Sequence, residues 1–224
     1  IGTGALMSQI AGACAPQASA AVLSGPTFAR EVASGHPTAV TLAADDGEVG
    51  KRIVHALGGQ RFRPYLSDDV IGTQVGGAVK NVLAIACGIA RGRELGDNAR
   101  SAVITRGIAE IGRLSLALGG RPETLMGLSG IGDLVLTCTS EQSRNYSLGV
   151  SLGAGQTLES AMSGGGSTIE GIATGISVAK LCSQYGIEMP ISCGVNSVLQ
   201  DQADIETTIA ELLARPFRAE TGFR

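Results

Sequence analysis

GGAVKNVLAIACGIAR, residues 76–91, is the stretch on which the reading of this chain turns. From Gly77 to Arg91 it is apolar nearly all round apart from Lys80 and Asn81. A helix hydrophobic on every side is a buried helix, so the spacing predicts a core helix here. Beyond it strand-prone runs fade. Asp97-Asn98 read as N-cap residues of a helix that runs to Leu118 and stops at Gly119-Gly120. Further helices are predicted over 144–152, 169–185, 191–199 and after Asp204. In the second of these Ile172, Ile176, Ala179 and Cys182 fall on one stripe, with Gly186 as stop. Upstream the texture differs. Residues 19–23, 38–42 and 62–66 are β-prone, and 46–57 carries Val49, Ile53, Val54 and Leu57 on one helical face behind Asp45-Asp46. Strand, helix, strand is the rhythm of an α/β layer, so the chain divides near residue 68 into an α/β part and an all-helical part.

Composition narrows the class. The 224 residues are 44% apolar and 17% charged, with a net charge of −3. That describes an ordinary soluble protein with no basic excess to neutralise phosphates, and nucleic acid is not an expected partner. The longest run free of charged and strongly polar groups, 82–90, falls short of the roughly 20 residues a membrane span needs, so no membrane association is predicted. Five cysteines (Cys14, Cys87, Cys138, Cys182, Cys193) at irregular spacings, with only His36 and His55 as imidazoles, suggest neither a disulfide framework nor a metal site. A reducing cytoplasm is the default location. The chain begins at Ile1 without a signal-like segment and reads as a piece of something longer.

Several motif matches fail. Gly2-Thr3-Gly4 has Met7 where a dinucleotide fingerprint needs its third glycine, and nothing strand-like precedes it. Ser177 and Lys180 match S-x-x-K by letters but lack the companion motifs of serine acyl enzymes. The segment from Gly47 to Lys51 lacks P-loop spacing. The glycine run 164–166 with flanking serines reads as a loop.

One constellation survives. Of the seventeen Lys and Arg residues only Lys51, Lys80 and Lys180 are lysines, and Lys80 sits in the most apolar helix. Burying an ammonium costs several kcal/mol unless it is paired or deprotonated, which makes such a lysine a candidate acid or base. The bland alternative is that Lys80 snorkels from the helix start to water. Its own helical face is small (Gly76, Gly77, Ala84, Cys87), leaving room for a ligand or for a closely packed helix. The second element is GLSGIGDLVLTCT, 127–139, whose Asp133 could cap a helix or could orient a lysine. The third is Ser143-Arg144-Asn145 at a helix start, where a guanidinium, an amide and free N–H groups make an oxyanion or phosphate cradle, or simply a cap beside a surface arginine.

With these residues in view the chain resembles the bacterial-type NAD(P)-dependent sn-glycerol-3-phosphate dehydrogenases. The resemblance rests on SGPTFAREVA (24–33), GGAVKN (76–81), LGDNARSAVITRG (95–107), GLSGIGDLVLTCTS (127–140), SRN (143–145), IEG (169–171), EMP (188–190) and LLARPFRAE (212–220), which stand in the family's order. It implies that residues 1–68 are the C-terminal part of a Rossmann-type dinucleotide-binding domain, and that 69–224 are an all-α substrate-binding domain like the C-terminal part of 6-phosphogluconate dehydrogenase. The implied reaction interconverts sn-glycerol 3-phosphate and dihydroxyacetone phosphate with NAD or NADP, supplying glycerol 3-phosphate for phospholipid synthesis in the cytoplasm, and a homodimer is expected by analogy.

Carried over residue by residue, Lys80 is the proton donor or acceptor and Asp133 its catalytic partner. Gly25, Thr27, Lys80, Asp133, Ser143, Arg144 and Asn145 would meet substrate, and Ala29, Arg144 and Glu170 the cofactor. No metal is implied. The family's glycine fingerprint, and a second site lysine in a Lys-Gly pair, should lie before Ile1. The chain is therefore read as a C-terminal fragment, expected to be inactive by itself. Around 163–167 it departs from the family's usual sequence. Two other readings remain: a related dehydrogenase acting on a 3-hydroxy acid or sugar acid through a similarly placed lysine, and a non-catalytic helical oligomerisation module.

Overall fold

The computed structural model of the chain describes residues 3–163 and 168–217, so the glycine run read above as a loop, and the end of the LLARPFRAE block, lie outside the described residues. Three strands, β1 (Ala21–Ser24), β2 (Thr38–Ala44) and β3 (Phe62–Ser67), form one sheet in that order. β2 and β3 run parallel, with Leu42 opposite Leu66. Parallel neighbours need a crossover, and here it is α3 (Gly47–Leu57). Asp46 starts that helix, its Oδ1 accepting from the amides of Glu48 and Val49 at 2.9 and 3.1 Å. α3 meets the sheet at Gly50, where the missing side chain leaves space for Leu66. β1 closes the other side antiparallel to β2. Among the helices beyond the sequence expectation, α1 (Met7–Cys14) and α2 (Ala29–Ala33) bury none of their residues. Neither offers the apolar stripe that a periodicity argument detects.

The core helix is α4 (Val70–Gly92), seven residues longer at its start than expected. Asp69 explains the extension. Its Oδ1 accepts from the Gly72 amide at 2.8 Å, while Oδ2 takes the Arg121 amide at 2.9 Å and the Thr124 hydroxyl at 2.6 Å, tying the start of α4 to the chain after α5. Over 23 residues α4 is long and apolar enough by composition to cross a membrane, which the count of unbroken apolar residues missed because Lys80 and Asn81 interrupt it. Here it is a core helix, with 61% of its most apolar window buried inside the protein.

Around α4 pack α5 (Gly96–Ala117), α6 (Asp133–Thr139), α7 (Arg144–Gly153), α9 (Glu170–Tyr185) and α10 (Pro190–Gln200); α8 (Leu158–Met162) and α11 (Ile205–Leu213) lie outside them. Val79, Leu83, Ile111, Leu134 and Val178 centre one buried cluster, and Val82, Ile85, Leu148 and Leu199 a second. α4 and α7 touch backbone to backbone. Gly88 and Gly92 of α4 face the carbonyls of Tyr146 and Val150, and Gly149 and Gly153 of α7 face those of Ile85 and Ile89.

Two local expectations change. α5 begins at Gly96 with Leu95 at the N-cap and no side-chain cap; Asp97 lies inside the first turn and pairs with Arg100 at 2.9 Å. The turn into α5 is made by backbone instead, with Glu94 and Gly96 at φ of 56° and 83°. In α9 the buried residues are Gly171, Gly175, Val178, Leu181 and Cys182, while Ile176 is exposed. The inner stripe is rotated toward the glycines because Gly171 lets α9 press against α4 and α7, where a Cβ would lie 2.9 Å from the Asn81 carbonyl oxygen and 2.5 Å from Asn145 Oδ1.

Candidate active site

Lys80 lies on α4 facing α6, and its Nζ stands 2.5 Å from Oδ2 of Asp133. The lysine side chain keeps 19% of its surface and the aspartate 2%, so the pair is largely buried and Lys80 does not snorkel freely. Glycines bring the two together. The chain before α6 presses its Ser129 carbonyl onto α4 at Gly76, one turn before Lys80, where any side chain would collide. Gly130, with ψ of −105°, then bends that segment so that Asp133 opens α6 pointing inward.

Two further groups hydrogen-bond to the Asp133 carboxylate. Thr137, one turn along α6, donates its hydroxyl to the Asp133 carbonyl at 2.6 Å and to Oδ1 at 3.3 Å. The N–H of Gly25, in the turn after β1, donates to the same carboxylate. Gly25 holds φ of +152° with Val40 packed behind it, so glycine is required there. Burial is the largest influence on Asp133 and pushes its carboxyl above the ordinary value; Lys80, Thr137 and the Gly25 amide pull the other way. Behind the pair lie the thiols of Cys87 and Cys138, both fully buried. Their mutual hydrogen bond and burial push the Cys138 thiol up, leaving it neutral.

A second group forms at the start of α7. Ser143 is its N-cap, accepting from the Tyr146 amide at 3.2 Å. Arg144 projects outward, half exposed, and its Nη2 meets Oε1 of Glu170, at the start of α9, at 2.8 Å. Arg144 also borders a cavity of about 200 Å³ shared with Ser147, Ser151 and Met162. Asn145 points the other way and is buried, its Nδ2 donating to Asn81 Oδ1 at 3.1 Å and its Oδ1 accepting from the Gly171 amide at 2.9 Å. From the SGPTF turn, Thr27 donates to the Gly25 carbonyl at 3.1 Å, and Ala29 is exposed as the first residue of α2. Glu31 of α2 accepts from Gln142 at 3.0 Å, which holds this turn beside the start of α7.

Lys80, Asp133 and Gly25 are thus in one contact set, and Arg144 and Glu170 in another. Two side chains not given a site role from sequence take part: Thr137, signalled by its four-residue spacing from Asp133, and Asn81, which with Lys80 interrupts the apolar stretch 77–91. Among the described residues no group of three His, Cys, Asp or Glu could hold a metal ion.

An α/β layer that leads into a helical assembly with a buried lysine–aspartate pair belongs to the class of two-part dehydrogenases with a Rossmann-type first part. More narrowly, the chain belongs to the NAD-dependent glycerol-3-phosphate dehydrogenase family, matching that family's C-terminal model over residues 69–210 and its N-terminal model over 1–50. It is 57% identical over 221 residues, 99% of its length, to a protein of Rhodospirillum rubrum, and 55% identical over 216 residues, 96% of its length, to one of Parvibaculum lavamentivorans, both named glycerol-3-phosphate dehydrogenase, NAD(P)+. The chain spans 63% and 65% of those two relatives. The crystal structure of glycerol-3-phosphate dehydrogenase from Coxiella burnetii superposes with a TM-score of 0.91 at 45% identity, covering 95% of this chain and 65% of that one. A Plasmodium falciparum glycerol-3-phosphate dehydrogenase shares the fold, with a TM-score of 0.86 at 18% identity over 97% of this chain and 63% of its own.

Proposed function

We propose that this chain forms the substrate-binding and proton-transfer part of an NAD(P)-dependent enzyme that interconverts sn-glycerol 3-phosphate and dihydroxyacetone phosphate, with residues 1–68 belonging to the cofactor domain and 69–224 to the substrate domain. The observation that carries this reading is the Lys80–Asp133 pair, 2.5 Å apart in an otherwise apolar helix environment. The curated relatives' names support the choice of substrate and cofactor.

In the reductive direction Lys80 Nζ gives a proton to the carbonyl oxygen, and its charge stabilises the alkoxide that develops there. Asp133 holds the ammonium in place and is itself held by Thr137 and the Gly25 amide. Arg144 and the start of α7 take the phosphate, where a guanidinium and unsatisfied N–H groups both favour an anion. When bound, the nicotinamide supplies or accepts the hydride. The residues fit its polar groups at one end: Glu170 is an exposed acceptor and Arg144 an exposed donor at adjacent helix starts, with Ala29 open to solvent. Among the described residues there is no glycine-rich turn between a parallel strand and a helix to hold the pyrophosphate. A role in supplying glycerol 3-phosphate for phospholipids, a homodimer and a cytoplasmic location complete the proposal; the free state of all five cysteines is compatible with a reducing compartment.

The test is Lys80→Met in the full-length enzyme, which keeps side-chain length and removes charge and proton. The variant should melt close to wild type: a partly buried ammonium is gone, but the buried Asp133 carboxyl loses its partner and cancels much of that gain. With saturating NADH or NADPH, kcat should fall by at least the ~10²-fold credited to a positioned proton donor. A variant that melts normally and keeps more than about a tenth of wild-type kcat, well short of that loss, removes Lys80 from the mechanism.

A further inference from the structure

We infer that Thr124, held by the buried carboxylate of Asp69, is a positioning residue for the Lys80–Asp133 pair. The inference rests on the proton-transfer role proposed above for Lys80. Asp69 stands eleven residues before Lys80, and Thr124 nine before Asp133. Two segments of chain therefore run from the Asp69–Thr124 bond to the Lys80–Asp133 bond, and the contacts between them decide whether one bond governs the other.

The far bond is buried. Asp69 is 6% exposed, and its carboxylate takes three donors: Oδ1 the Gly72 amide at 2.8 Å, Oδ2 the Arg121 amide at 2.9 Å and the Thr124 hydroxyl at 2.6 Å. One carboxylate thus caps α4 and seats the short 3₁₀ turn Pro122–Met126 on its start. Leu125, next to Thr124, is fully buried and wedges between the two segments. A Cβ on Gly76 of α4 would lie 3.3 Å from Leu125 Cδ2, and one on Gly130 would strike the Leu125 carbonyl. The Ser129 carbonyl presses on Gly76 as well. From Gly130 only Ile131 and Gly132 remain before Asp133 opens α6. The path from Thr124 to Asp133 is therefore short and packed against α4 on its way. Close-packed interiors have low compressibility and transmit strain, so a shift of the turn reaches Asp133. Asp133 holds the ammonium that delivers the proton, and a misplacement of about 1 Å can cost ~10²-fold in rate.

The experiment compares Thr124→Val, which keeps the shape and removes the hydroxyl, with Thr124→Ser, which keeps the hydroxyl, in the full-length enzyme. Each is made with Lys80 present and together with Lys80→Met. It measures kcat and KM for dihydroxyacetone phosphate at saturating NADH or NADPH, below the melting transition, and the melting temperature of each protein. With Lys80 present, Thr124→Val should lower kcat about tenfold, part of the ~10²-fold that misplacement can cost, and leave KM nearly unchanged. Thr124→Ser should keep most of the wild-type kcat. Together with Lys80→Met, Thr124→Val should cost nothing further, because residues coupled through one network act non-additively. Equal fold-losses of kcat with and without Lys80 place the effect outside the ion pair and overturn the inference. A lower melting temperature with unchanged kcat leaves Thr124 a role in stability alone and overturns it too, as does a loss for Thr124→Ser as large as for Thr124→Val. Should Thr124→Val fail to fold, Leu125→Met, a volume-conserving change of the kind cores tolerate, reshapes the wedge and must lower kcat only where Lys80 is present. If the proposed reaction itself is wrong, Lys80→Met alone retains turnover. If only the positioning role is wrong, Lys80→Met loses turnover, and Thr124→Val costs the same in both backgrounds or nothing in either.

Discussion

Arg144 and Lys80 differ at the scale of single residues in how much water surrounds them, and their roles follow from that. Lys80 is mostly buried against one carboxylate, whereas Arg144 and Glu170 are each about half exposed, 53% and 51% of their side-chain surface. An exposed ion pair contributes little to stability, so giving up the Glu170 contact for a phosphate costs Arg144 little. We expect Arg144→Ala to leave the melting temperature nearly unchanged and to weaken handling of the phosphorylated substrate. Each lost charge-assisted bond is worth ~1.5 to 3 kcal/mol, about tenfold or more in kcat/KM. The effect should shrink for dihydroxyacetone. Equal losses of kcat/KM for dihydroxyacetone phosphate and dihydroxyacetone rule out the phosphate assignment. The polar residues at stake were legible in the sequence because Lys80 and Asn81 interrupt an apolar helix and Asp133 stands among glycines. What could not be read was which way each side chain turns. Ser143 and Asn145, adjacent to Arg144, both spend their polar atoms on protein, the first on its own helix and the second on α4 and α9.

For the elements, glycine decides the geometry. α4 and α7 approach so closely that a Cβ on Gly88 would run into the Tyr146 carbonyl, and one on Gly149 into that of Ile85. Neither obstacle is the flexible end of a side chain, so the backbones themselves must part. Gly88→Ala should therefore destabilise despite alanine's better helix propensity. The cost expected of overpacking is about 1 to 3 kcal/mol, seen as a drop of roughly 2 to 4 °C in melting temperature per kcal/mol for a chain of this size. Because α7 carries Arg144 at its outer end, the same variant should raise KM for the phosphorylated substrate even below its melting transition. A Gly88→Ala protein with unchanged melting and KM contradicts the close contact. Periodicity predicted both helices, but a glycine in a helix reads equally as a weak spot or a contact point. The partner that makes it a contact, α7, comes more than fifty residues later.

Across the whole molecule, the helical part is closed by Glu110, which is 1% exposed on α5. α10 begins with Pro190, which has no N–H, so its first unsatisfied amides are those of Ile191 and Ser192. Glu110 accepts from both, at 2.7 and 3.0 Å, and from the Ser192 hydroxyl at 2.7 Å. Burial outweighs these donors and pushes the Glu110 carboxyl above its ordinary value. A carboxyl raised in the folded state contributes stability that is complete at pH below its unfolded value of about 4.5 and is lost as pH rises through its folded value. Glu110→Gln should be less stable throughout, since its amide NH₂ faces an N–H donor. Its disadvantage should nevertheless narrow as pH rises from the ordinary value of about 4.5 through the raised value of the folded protein, where the wild-type carboxyl ionises. Melting curves of both proteins across that range decide the matter, and a constant difference refutes the role of ionisation. The sequence by itself determined the α/β beginning, the apolar helix at the centre, most helix ends and the residue types of the site, because these follow from local periodicity, capping and composition. Only the tertiary structure decided that Asp133 reaches Lys80, that Asn145 faces inward while Arg144 faces out, and that Glu110 caps a helix eighty residues away. Those are contacts between distant segments, set by which glycines let backbones meet, and no local pattern in a chain records them.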